Sequence, residues 1–166
     1  MATSENLQDA FAGESQANRK YLAFAKKADR DGYPQVARLF RAAAAAETVH
    51  AHAHLRVMGG IKDTADNLLA AIEGEGHEFT EMYPDFIAQA RNEANKPAVQ
   101  SFENAMAVEE IHHGLYGDAL KAVQAGNDLP ERRLFVCSVC GNTVYDAAPE
   151  KCPICGAPGE KFDEIA

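Results

Sequence analysis

The strongest constraint in this sequence is a spacing that occurs twice. Glu47-Thr48-Val49-His50 and Glu109-Glu110-Ile111-His112 both place a histidine three residues after a glutamate. On a helix that step sets a carboxylate and an imidazole side by side on one face. Each pair also has a glutamate on the helical segment before it: Glu14 lies 33 residues ahead of Glu47, and Glu78 lies 31 ahead of Glu109. The order is therefore Glu, then Glu-x-x-His, repeated. Four helices folded together would bring Glu14, Glu47, His50, Glu78, Glu109 and His112 to one level. Several ionised carboxylates in an apolar interior are prohibitive without compensating cations. The donor set is that of a di-iron or di-manganese carboxylate site.

The rest of the chain supports such helices. The run Arg41 to His54, with five consecutive alanines, combines high helix propensity with little bulk, so neighbouring helices can approach closely. Thr3 or Ser4 can cap a first helix that ends at Asp31-Gly32. Pro34 suits the first turn of a second, which ends at Gly59-Gly60. Thr64 can cap a third reaching about Asn95, with a kink or break expected at Pro84. A fourth starts at Pro97 and ends near Gly126. The expected class is all-α, a ferritin-like four-helix bundle over residues 1–130, with a small metal domain over residues 131–166.

Composition narrows the partners. A formal net charge of −9 argues against nucleic acid and anionic membranes. No apolar run approaches the ~20 residues of a membrane span, and residues 1–10 lack a signal-like segment, so a cytoplasmic location is expected. All four cysteines fall in two Cys-x-x-Cys pairs near the end of the chain. In that setting a metal is favoured over disulfides.

The third helical segment adds Glu81, three residues after Glu78, which makes five glutamates and two histidines. Tyr21, seven residues after Glu14, can hydrogen-bond a ligand carboxylate or serve as a core ring. His52, His54 and His77 border the site in sequence, with solvated or packing roles as the plainer reading. In the EEIHH run, spacing alone does not choose between Glu109 with His112 and Glu110 with His113.

In the tail, Cys137-Ser138-Val139-Cys140-Gly141 and Cys152-Pro153-Ile154-Cys155-Gly156 are matching knuckles. Each can grip one metal with two thiolates, and the following glycine lets the backbone turn its N–H groups toward sulfur. Together they form a tetrahedral four-sulfur site. Sulfur ligation by itself leaves zinc and iron open. A tail of some thirty residues needs that metal, because burial alone cannot hold it together.

The stretches GESQANRKYLAFAKKADRDGYPQVARLF, AAETVHA, HEFTEMYPDF and AVEEIHHGLY, followed by the cysteine tail, resemble the rubrerythrin family over essentially the whole chain. The resemblance implies Glu14, Glu47, Glu78, Glu81, Glu109 and His112 as iron ligands, and so selects Glu109 with His112. It implies that His50 trades places with Glu81 as one iron changes redox state. It also makes the tail rubredoxin-like, with a single iron on Cys137, Cys140, Cys152 and Cys155. The spacer between the knuckles is shorter than in free-standing rubredoxins.

The implied function is a non-haem di-iron peroxidase that reduces hydrogen peroxide to water in oxidative-stress defence. Electrons would enter through the tail iron from a donor protein, a rubredoxin or a reductase, and ultimately from NAD(P)H. Two alternatives compete: a ferritin-like iron oxidation and storage protein whose tail is a structural zinc ribbon, and a di-manganese catalase, against which the tail argues. At 1.5 Å per residue, roughly 20 Å of helix separates Glu109 and His112 from the linker. Unless the linker doubles back, the tail lies far from its own chain's site. That geometry, like the resemblance, implies a head-to-tail homodimer with electron transfer between chains, in which helices can also be exchanged.

Overall fold

The computed structural model describes residues 2–166. The long helices follow the expected plan: α1 is Thr3–Arg30, α2 is Pro34–Val57 and α5 is Lys96–Gln124. Between them the third helical segment is broken into α3 (Thr64–His77), a π-helical turn (Glu78–Met82) and α4 (Tyr83–Asn92). The break arises as the sequence implies. Pro84 offers no backbone N–H and its ring would crowd the carbonyl four residues back, so the helix takes on one extra residue per turn just ahead of it. The caps differ from expectation. Thr3 is the first helical residue, and the Ala2 N–H is held by Glu5 Oε2 at 2.9 Å. Asp63, and not Thr64, caps α3 by accepting the Asp66 N–H at 2.9 Å.

The chain forms two compact units, Met1–Lys62 and Asp63–Ala166. In the first, α1 and α2 pair as a helical hairpin. Ala37, Ala44 and Ala51 recur every seven residues along one stripe of α2 and are buried, as are Ala25 and Ala28 of α1. Methyl-sized contacts let the two backbones close in, which fixes the level at which longer side chains meet.

The second unit packs α3 and α4 against α5 and carries the tail with them. Three short antiparallel strands, β1 (Leu134–Cys137), β2 (Thr143–Tyr145) and β3 (Phe162–Ile165), form a sheet in the order β2-β1-β3. Leu134 faces Tyr145 on one side of β1 and Ile165 on the other. Phe135, Cys137, Cys152 and Phe162 make its small core. The tail does not stand off at the far end of α5. The segment 125–133 doubles back and sets β2 beside the middle of α5, where His112 Nε2 is 2.9 Å from Thr143 Oγ1. The division into compact units therefore falls after Lys62, because the tail and α5 pack as one piece. No helix among the described residues is long and apolar enough to cross a membrane.

Candidate metal centre

In the first unit, α1 contributes Glu14 and α2 contributes Glu47 and His50, with one donor atom from each lying within 4.8 Å of the others. His50 Nδ1 and Glu47 Oε2 are 2.9 Å apart. A polar pin sets this level. The carboxamide of buried Asn18, one turn beyond Glu14, donates to the Ala44 carbonyl at 2.7 Å and to Thr48 Oγ1 at 2.9 Å. Asn18 was not singled out from sequence. Its signal is a polar residue four positions after Glu14, on the same face. Tyr21 joins an aromatic cluster with Phe24 and Phe40, at ring separations of 6.4 and 6.1 Å.

The second unit holds a matching triad of Glu75 from α3 with Glu109 and His112 from α5, again within 4.8 Å. His112 Nδ1 lies 2.9 Å from Glu109 Oε2 and 3.9 Å from Glu75 Oε1. Glu75 is the residue that sequence reasoning missed. It stands where Glu78 was expected, and a signal for it was present: Glu75 precedes Glu109 by 34 residues, closer to the 33 of the first pair than the 31 of Glu78.

Glu78, half-buried at the start of the π-turn, remains in the electrostatic field of this group. Burial and then the Glu109 charge raise its pKa. Glu81 does not join. Its side chain is 73% exposed and sits 3.3 Å from His77 Nδ1. The π-turn explains this, because the extra residue per turn breaks the three-residue register between Glu78 and Glu81. Glu110 is exposed, while His113 packs edge-on against Phe79 at 5.4 Å.

Burial, followed by the Glu109 charge and a hydrogen bond between the two carboxyls, pushes Glu75 up to about 7. The Tyr83 hydroxyl is raised by burial and then by the charges of Glu78, Glu109 and Glu75, which keeps it protonated as a hydrogen-bond donor. These acids repel one another and lack protein cations among the described residues beyond the histidines. A metal supplies what is missing. Two donor atoms 2.9 Å apart, each about 2.1 Å from one ion, subtend about 90° at it, as neighbouring ligands of an octahedral ion do. The Glu47–His50 and Glu109–His112 pairs both pass that test.

The four cysteines are free thiols grouped within 4.8 Å. Cys137 and Cys155 Sγ are 3.8 Å apart, and Cys140 and Cys152 Sγ are 3.6 Å apart. Those are near the edges of a tetrahedron whose centre lies about 2.3 Å from each sulfur. Gly141 and Gly156 hold φ of +88° and +75°, which turns the backbone of each knuckle toward sulfur. Burial opposes the Cys152 thiolate, but hydrogen bonds from the backbone N–H groups of Cys155 and Ile154, together with those from the Cys140 and Cys155 thiols, outweigh it and lower that thiol to about 6. Burial pushes Cys140 up to about 12, so a cation is needed to hold all four as thiolates.

Residues 5–120 match the family model for rubrerythrin, and residues 135–163 match that for the rubredoxin-like domain of rubrerythrin. The chain belongs to the rubrerythrin family. Rubrerythrin-2 of Clostridium acetobutylicum is 36% identical, with 96% of this chain and 95% of that protein covered. Nigerythrin of Nitratidesulfovibrio vulgaris is also 36% identical, over 97% of this chain and 85% of its own length. Among solved structures, nigerythrin in its partially reduced state matches with a TM-score of 0.59 at 35% identity, covering 99% of this chain and 87% of that one. A fully reduced, all-ferrous nigerythrin matches equally, also at 0.59. Rubrerythrins pair a di-iron site with a four-cysteine iron site, and this chain carries both donor sets. Its chemistry is that of a metal-dependent oxidoreductase of the peroxidase type.

Proposed function

We propose that this rubrerythrin reduces hydrogen peroxide to two waters. The ligands are Glu14, Glu47, His50, Glu75, Glu78, Glu109 and His112, and electrons enter through iron on Cys137, Cys140, Cys152 and Cys155. The reading rests on one observation above the others: two Glu/Glu/His triads, each presenting a carboxylate oxygen and an imidazole nitrogen 2.9 Å apart. When bound, two ferrous ions supply the two electrons that cleavage of an O–O bond consumes. The residues do the rest. Paired carboxylates compensate the ionic charge, the protonated Tyr83 hydroxyl offers a hydrogen bond beside them, and the 55% exposed His50 side chain leaves room for a small oxidant. In this ligand set Glu75 and Glu78 take the places expected of Glu78 and Glu81.

The overall balance is one peroxide, two protons and two electrons to two waters. A one-electron site in the tail must therefore act twice per peroxide, drawing on a donor protein such as a rubredoxin or a reductase and ultimately on NAD(P)H. The functional division is residues 1–130 for the carboxylate site and 131–166 for electron entry. A head-to-tail homodimer in the cytoplasm belongs to the same proposal on the family resemblance alone, because residues 125–133 double back and remove the helix-length ground for electron transfer between chains. Exposed Val36, Leu39, Val49 and Val57 along α2 offer apolar surface for such an assembly.

The test is anaerobic. Hydrogen peroxide is added to fully reduced, iron-loaded protein while the absorption of both iron sites is followed. One peroxide per two electrons, with water as the only product, is expected. Reduced protein that leaves peroxide intact would remove the proposal. Glu75→Gln should lose iron from the carboxylate site, with affinity down about 10–100-fold. Glu81→Ala should keep wild-type iron content and turnover.

A further inference from the structure

Thr143 belongs to the tail, yet its hydroxyl reaches a ligand histidine on α5. His112 Nε2 is 2.9 Å from Thr143 Oγ1, and the same Oγ1 is 3.1 Å from the Gly141 carbonyl. A hydroxyl has one hydrogen to donate. The Gly141 carbonyl can only accept, so it takes that hydrogen, and Thr143 Oγ1 is left to accept from His112. Nδ1 faces Glu109 Oε2 at 2.9 Å and Glu75 Oε1 at 3.9 Å, the side on which an ion would sit, and with an ion on Nδ1 the neutral ring carries its proton on Nε2, where Thr143 Oγ1 can accept it. An apolar cavity of about 450 Å³, lined by Leu68, Leu115, Tyr116, Leu134 and Val136 among others, flanks the contact. Low polarity around a hydrogen bond strengthens it.

The neighbouring residue ties the same strand to the cysteines. Asn142 is buried, with its side-chain nitrogen 3.7 Å from Cys152 Sγ, and its backbone N–H bonds the Cys140 sulfur. Three consecutive residues, Gly141, Asn142 and Thr143, thus connect two of the four sulfurs to the ring of one carboxylate-site ligand.

We infer that Thr143 is a positioning residue that holds His112 with its proton on Nε2 and its Nδ1 aimed at the metal, so that the folded cysteine knuckle supports metal binding at Glu75, Glu109 and His112. This rests on the proposed ligand set and not on peroxide chemistry. A partner on the far nitrogen of a ligand histidine fixes the ring and raises its basicity. Here that partner comes from a separate metal-binding element, which makes the two sites interdependent.

The experiment uses full-length protein with zinc in the cysteine site and cobalt(II) as the probe at the carboxylate site. Thr143→Val removes the acceptor at nearly constant shape, and Thr143→Ser keeps it. Cobalt affinity in Thr143→Val should fall about 10-fold or more, with zinc content and helical circular dichroism unchanged. The cobalt-shifted Nε2–H proton signal of His112 should be protected from solvent exchange in wild type and in Thr143→Ser, and lose that protection in Thr143→Val. Wild-type affinity in Thr143→Val would overturn the inference. So would a Thr143→Ser variant as weak as Thr143→Val, since that would reduce the role to methyl packing. Failure of peroxide reduction by wild-type protein would leave these readouts untouched, so the two proposals fail separately.

Discussion

At the scale of single residues, the carboxylate site is held at an electrostatic cost that shows in Glu75. Its folded pKa of about 7 lies above its ordinary 4.5. The folded, metal-free protein therefore keeps a proton that the unfolded chain releases between those values. The stability this contributes is fully present below 4.5 and is lost as pH rises through about 7. Glu78 is shifted in the same direction. The urea midpoint of metal-free protein should accordingly fall as pH rises from 5 toward 8, by about 1 kcal/mol or more in unfolding free energy. Metal reverses the trend, since it displaces the proton and binds more tightly as pH rises. A metal-free midpoint that climbs over that range would contradict this picture of Glu75.

The same residue shows what could be read from sequence at this scale. Helical spacing was enough to group Glu14 with Glu47 and His50, and it left Glu109 with His112 as one of two overlapping pairs between which the family resemblance chose, because α1, α2 and α5 are regular and a three-residue step keeps its meaning along them. Glu75 and Glu81 were beyond it. Three acids, Glu75, Glu78 and Glu81, share a three-residue spacing, and the change from α to π geometry occurs in their midst. Spacing arguments hold only while the helix keeps its pitch.

At the scale of elements, the α1–α2 hairpin and the tail are each fixed by one buried amide. Asn18 bonds across the hairpin to Ala44 and Thr48. Asn18→Leu should strand the acceptors and destabilise the protein by about 1–3 kcal/mol, read from the denaturant midpoint. It should also loosen metal binding at Glu14 and Glu47, which depend on the hairpin's level. In the tail, Asn142 and Thr143 share a strand, so damage to the knuckle should travel. Cys152→Ser should weaken cobalt binding at Glu109 and His112 as well as abolish the four-cysteine site. Unchanged cobalt affinity in that variant would mean that β2 holds its place without metal. The break in the third helical segment was legible because Pro84 has a fixed chemical consequence. Its form as a π-turn was not, since proline is equally compatible with a plain kink.

At the scale of the whole molecule, four long helices and a cysteine tail were plain from periodicity and composition, but the place of the tail was not. Counting 1.5 Å per residue along α5 sent it away from His112, and the doubling back of residues 125–133 reversed that outcome. Nothing in the polar, turn-rich linker announces its direction. Removing the tail at Pro130 should leave a helical protein that reacts once with peroxide after chemical reduction and does not turn over with a protein donor. Sustained donor-driven turnover by that truncation would exclude the tail as the electron entry.

The linker also sets a concentration. Nine residues join the end of α5 to β1, and a tether that short holds its cargo at an effective concentration on the order of millimolar. A rubredoxin-like fragment added back to the truncated protein must therefore approach that level before it can stand in for the attached tail. At the micromolar concentrations of an ordinary assay, rescue in trans should be faint even if every contact on the fragment is intact.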